Sequence, residues 1–88
     1  MSGTKADELY DVIFFWDSTK EQDSYRQYCG ETLCNVLGFS PSLSVKLVFE
    51  AQEKGNALIH STMNIDKAVN IRDVLTSLDM STKICPNV

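Results

Sequence analysis

Val12-Ile13-Phe14-Phe15-Trp16 is the longest wholly apolar run in the chain, and it admits few structures. Five residues fall far short of the roughly 20 that a membrane helix needs. Together with Leu9-Tyr10-Asp11 they form a segment rich in β-branched and aromatic residues, which suits a strand flanked by neighbours on both sides. A chain of 88 residues has room for one domain with a small core, so this segment is expected to be the central strand of its sheet. Residues 1–8 are expected to form a flexible acidic N-terminal tail, and residues 9–88 a single domain. The first seven residues contain no apolar signal core, so neither a secretory signal nor a membrane span is expected.

Two helices are written into the next stretch. From Ser24 the positions Tyr25, Tyr28, Cys29, Thr32, Leu33, Val36 and Leu37 follow one helical face, and Gly38 supplies the stop. Asp17 to Asp23, before it, reads as a long polar loop, a kind of segment that often carries function. Ser40-Pro41 then offers an N-cap followed by proline at the first helical position. The second helix runs to about Lys54, with Leu43, Leu47, Val48, Ala51, Val45 and Phe49 expected inward, and Gly55-Asn56 ends it.

Ala57 to Met63 alternates as a one-faced strand should, with Ala57, Ile59, Ser61 and Met63 against Leu58, His60 and Thr62. Asn64 caps a third helix through about Leu78 on the spacing of Ala68, Ile71, Leu75 and Leu78. Thr82 to Cys85 makes a short last strand that Pro86 closes. The order β-α-α-β-α-β, with a right-handed crossover through the third helix, places the first strand between the other two and antiparallel to both. The expected fold is α+β: a three-stranded antiparallel-centred sheet in order 2-1-3 with three helices on one face.

Charge and thiol content narrow the partners. The net charge of −4 sits in residues 1–25, which hold two basic and six acidic residues, whereas the remainder is balanced. With no Lys/Arg cluster, an acidic domain is repelled by phosphate backbones, so no nucleic acid is expected as a partner and a cationic one is favoured. Three cysteines without a signal read as reduced thiols of a cytoplasmic compartment. Within one helix the Cα atoms of Cys29 and Cys34 would be roughly 8–9 Å apart, beyond the reach of a disulfide.

Little in the sequence supports catalysis. His60 is the only imidazole and lies in an alternating strand, no Cys-x-x-Cys or glycine-rich phosphate loop is present, and Glu50 and Glu53 read as a solvated helix face. The chain is therefore read as a non-enzyme without cofactor or metal. Trp16-Asp17-Ser18 is more informative, because a carboxylate beside an aromatic surface suits an ammonium group next to an apolar side chain. The same residues also suit a tryptophan that covers the sheet edge and an aspartate that caps a turn.

Leu9-Tyr10-Asp11-Val12-Ile13-Phe14-Phe15 resembles the opening strand of the ClpS adaptors, small domains that dock on the Clp AAA+ unfoldase and present proteins with destabilising N-terminal residues. The resemblance extends over about residues 9–86, through Leu47-Val48-Phe49-Glu50-Ala51-Gln52, Lys54-Gly55-Asn56-Ala57-Leu58-Ile59 and the closing Lys83-Ile84-Cys85. The C-terminal domain of the ribosomal stalk protein is similar in architecture. The family ends its first strand with Asn-Asp-Asp, which holds the α-amine of the substrate, and the corresponding run here is Trp16-Asp17-Ser18. At the helix-two positions where the family places a pocket-lining Met and an amine-binding His, this chain has Val48 and Gln52, with Ala51 alongside. The loop after the motif is about four residues longer.

The resemblance implies a ClpS-like adaptor that docks on a Clp-type AAA+ chaperone and modulates which substrate proteins or peptides are degraded. Its peptide-binding residues would be Trp16, Asp17, Ser18, Val48, Ala51 and Gln52, forming an altered N-terminal-residue pocket. The location it implies is cytoplasmic, or the plastid stroma in a photosynthetic eukaryote. The alternative it leaves open is a non-proteolytic interaction module, a decoy or inhibitor of the same machine, with the pocket filled by its own side chains.

Overall fold

A computed structural model of the protein describes residues 9–87, and the expected tail of residues 1–8 lies outside them. The elements are β1 (Leu9–Phe15), α1 (Gln22–Leu37), α2 (Pro41–Lys54), β2 (Asn56–Thr62), α3 (Ile65–Ser77) and β3 (Thr82–Asn87). The sheet has the order β2-β1-β3, with β1 antiparallel to both neighbours. This is the α+β arrangement that the apolar first strand calls for. Val12 and Phe14 are fully buried beneath the helices, whereas Ile13 and Phe15, on the other face, stay half-buried.

Local capping sets where the helices begin and end. Ser40 Oγ accepts from the Leu43 amide at 3.3 Å, and Pro41 opens α2. Gly38 and Gly55 adopt φ of 74° and 92°, and their amides return to the carbonyls of Cys34 and Ala51. Such left-handed geometry is open to glycine at little steric cost. Asn64 Oδ1 accepts from the amides of Asp66 and Lys67 at the start of α3.

Four expectations are corrected by the packing. First, α1 begins at Gln22 and not Ser24, because the Glu21 carboxylate caps it, accepting from the Ser24 amide at 2.8 Å and the Asp23 amide at 3.4 Å. Second, Val45 and Phe49 do not turn inward. They are 52% and 51% exposed, Leu43 is exposed as well, and the small Ser44 takes the buried place beside Leu47, Val48 and Ala51. The rotation of α2 is set by Leu47, Val48 and Ala51 packing as one cluster with Val12, Phe14 and Leu33, which carries the flanking Val45 and Phe49 out.

Third, β2 does not alternate throughout. Val12 pairs with His60 and Ile13 with Leu58, so Ile59 is the extra residue of a β-bulge. Ala57 and Ile59 are buried, but past the bulge His60 and Thr62 stand opposite Val12 and Tyr10, while Ser61 is turned out to donate to Asp11 at 2.7 Å. Fourth, Pro86 does not close β3, which runs on to Asn87. An edge strand tolerates proline because an amide on its outer side has no ladder partner.

Candidate functional site

The end of β1 is fixed by two backbone bonds: the Phe15 amide donates to the Ser81 carbonyl at 2.8 Å and the Trp16 amide to the Gly55 carbonyl at 3.0 Å. The second brings Trp16 to the C-terminal end of α2, where Gln52 lies. Trp16 is half-buried and packs on Tyr25 with ring centroids 4.9 Å apart, and edge-on to Phe14 at 6.3 Å.

A chain of polar contacts starts at the indole. Trp16 Nε1 donates to Gln22 Oε1 at 2.8 Å, and Gln52 Nε2 donates to the same oxygen at 3.3 Å. Gln22 Nε2 in turn donates to the Lys20 carbonyl at 2.7 Å, which ties the loop to the first turn of α1. On the other side, Arg26 donates to Gln52 Oε1 at 3.1 Å and pairs with Asp23 at 2.7 Å, with its guanidinium 5.1 Å from the centre of the Phe49 ring. Both ends of the Gln52 amide are thus engaged within the chain.

The six residues singled out from the sequence divide into three groups. Trp16 and Gln52 meet through Gln22. Val48 and Ala51 belong to the core, 1% and 0% exposed, so each offers a ligand very little surface. Asp17 and Ser18 stand apart in the loop. Asp17 Oδ1 accepts from the Thr19 hydroxyl at 2.5 Å and the Thr19 amide at 3.0 Å, and these bonds, aided by nearby Lys20, hold its carboxyl below the usual range. Its carboxylate stays charged and organises a turn.

Gln22 and Arg26 belong to this site and were not among the residues chosen from the sequence. Gln22 falls in what reads as loop, and only recognising Glu21 as the helix cap would have moved it to the first position of α1. Beyond Arg26, the outer faces of α1 and α2 enclose a groove of about 530 Å³, with Val48 at its base. On the loop's other flank, Lys20 pairs with Asp79, and the Tyr25 hydroxyl, its pKa pushed far up by burial, donates to the Asp79 carbonyl at 3.1 Å.

Among the described residues no cluster of three or more His, Cys, Asp or Glu is placed to hold a metal ion, and no helix is long and apolar enough to cross a membrane. The cysteines are free: Cys29 buried, Cys34 partly covered and Cys85 exposed.

No protein-family model and no curated protein matches the chain. Among solved structures it is similar to Agrobacterium tumefaciens ClpS2 bound to L-phenylalaninamide, with a TM-score of 0.78 and 19% identity, over 91% of this chain and 98% of that one. At that identity the likeness is one of fold, and it extends over nearly the whole of both chains. The protein has a ClpS-like fold, carried by a sequence that shares 19% identity with this structural neighbour.

Proposed function

We propose that this protein is an adaptor that docks on a Clp-type AAA+ chaperone and modulates which proteins or peptides are degraded, through an altered N-terminal-residue pocket. The observation that carries the reading is the ClpS-like fold over 91% of the chain. Trp16, Asp17, Ser18, Val48, Ala51 and Gln52 are its proposed binding positions, with Gln22 added by the contacts it makes. The reading has the domain act by binding, without catalysis, in the cytoplasm or a plastid stroma.

One observation favours the second reading, a non-proteolytic decoy or inhibitor. Trp16, Gln22 and Gln52 satisfy one another at the place where a family member offers polar groups to an α-ammonium. An adaptor of this kind would occupy the chaperone without delivering an N-terminal residue.

Adding the purified protein to a Clp hexamer and protease from its own host tests both. Degradation of a model substrate is expected to change, rising for an adaptor and falling for a decoy. No complex on size-exclusion chromatography, together with unchanged degradation, would remove Clp from the function altogether.

A further inference from the structure

The groove between α1 and α2 has two chemically different walls. Val45 and Phe49, one helical turn apart, make the α2 wall apolar and are both about half exposed, with Val48 at the base. The α1 wall is polar and carries Asp23, Arg26 and Glu31. Asp23 and Arg26 pair with each other at 2.7 Å, which leaves Glu31 as the uncompensated charge. Its carboxylate accepts from the neutral Gln27 amide at 3.2 Å and, among the described residues, pairs with no cation.

Between the walls Gly30 leaves room: a Cβ placed there meets nothing within 4 Å. The groove's volume, about 530 Å³, falls in the range of roughly 300–1,000 Å³ typical of ligand sites. Arg26, held by Asp23, Gln52 and the Phe49 ring, separates it from Trp16 and Gln22. The groove therefore lies apart from the end of β1 and shares only Val48 with the proposed pocket positions.

We infer that this groove binds a peptide segment presenting a bulky apolar side chain next to a lysine or arginine, the apolar group against Val45 and Phe49 and the cation at Glu31. Complementary charge selects such a segment over an acidic one, and the acidic balance of the whole chain acts in the same direction. Neither wall requires a free α-amine, so the segment can be internal to its protein. The inference stands whether or not Clp is the machine served.

The test is an NMR titration of the full chain with a short N-acetylated peptide carrying Leu-Phe flanked by Lys, beside the same peptide with Glu in place of Lys. Acetylation removes the α-ammonium and no chaperone is present, so the result is independent of the N-terminal-residue reading. Amide shifts are expected at Gly30, Glu31, Val45 and Phe49, with the Lys peptide binding more tightly. Glu31→Gln should weaken it by about two- to fivefold, the range of an exposed ion pair.

Gly30→Leu should fill the groove and weaken binding by about tenfold or more, while the melting temperature holds or rises because glycine is a poor helix former. Phe49→Ala removes the larger of the two side chains of the apolar wall without touching the buried core and should weaken binding as well. Equal affinity for the two peptides, shifts centred on Trp16–Ser18, binding unchanged by Gly30→Leu and Phe49→Ala, or no saturable binding would each overturn the inference.

Discussion

The indole Nε1 of Trp16 donates to Gln22 Oε1 at 2.8 Å, and Gln52 Nε2 reaches the same oxygen at 3.3 Å. One glutamine side chain therefore joins the end of β1 to the end of α2. It does so where the resemblance to the adaptors places the groups that hold a substrate's α-ammonium.

Peptides with a free N-terminal Leu, Phe, Tyr or Trp should consequently bind weakly. A charge-assisted hydrogen bond contributes roughly 1.5–3 kcal/mol, so losing one lowers affinity by about ten- to a hundredfold. Of the Trp16-Asp17-Ser18 run only Asp17 keeps a full charge, and what binding remains should fall on Asp17→Asn. Trp16→Asn, Ser18→Asp and Gln52→His together should raise affinity, and Gln22→Ala on that background should raise it further by releasing position 52. Fluorescence anisotropy with labelled peptides measures each step, and tight binding that ignores Asp17 would place the ammonium site elsewhere.

Amide hydrogen exchange should be slowest in residues 12–15. Strand β1 is paired on both sides, so its amides open only with the domain, whereas β3 is an edge. Exchange at 12–15 as fast as at 82–85 would contradict the central placement.

Alkaline stability should depend on Cys29. Burial pushes its thiol up from 9.0 to about 11. Between those values the unfolded chain has released a proton that the folded chain retains. Stability present below about pH 9 is therefore lost as pH rises to about 11, by roughly 2–3 kcal/mol at 1.36 kcal/mol per unit. The buried Tyr25 hydroxyl, raised further still, adds to the same trend. Urea unfolding followed by the fluorescence of Trp16, the only tryptophan, measures the slope, and Cys29→Ala should flatten it. In the native state a thiol reagent should modify exposed Cys85 first, Cys34 next and Cys29 only on unfolding. A slope unchanged by Cys29→Ala would show that the thiol stays accessible to solvent.

The elements most legible in the sequence are those whose signal is local. Ser40-Pro41, Gly38, Gly55 and Asn64 each act on backbone groups within four residues, so the bounds they imply match the helix ends observed. The start of α1 is hidden in the sequence for a related reason. Glutamate is an uncommon cap, and without it Gln22 reads as loop.

The course of the chain, its central apolar strand and its strand order follow from the sequence itself, because the run Val12–Trp16 can be covered only between two neighbours and the crossover through α3 has a preferred hand. Tertiary packing decided what no local signal encodes. The seating of Leu47, Val48 and Ala51 on the sheet turned Val45 and Phe49 to solvent, and the bulge at Ile59 reversed the faces of β2. The site joins residues 16, 22, 26 and 52 because β1 is pinned to Gly55, and contacts between residues as many as 39 positions apart exist only once the helices have docked on the sheet.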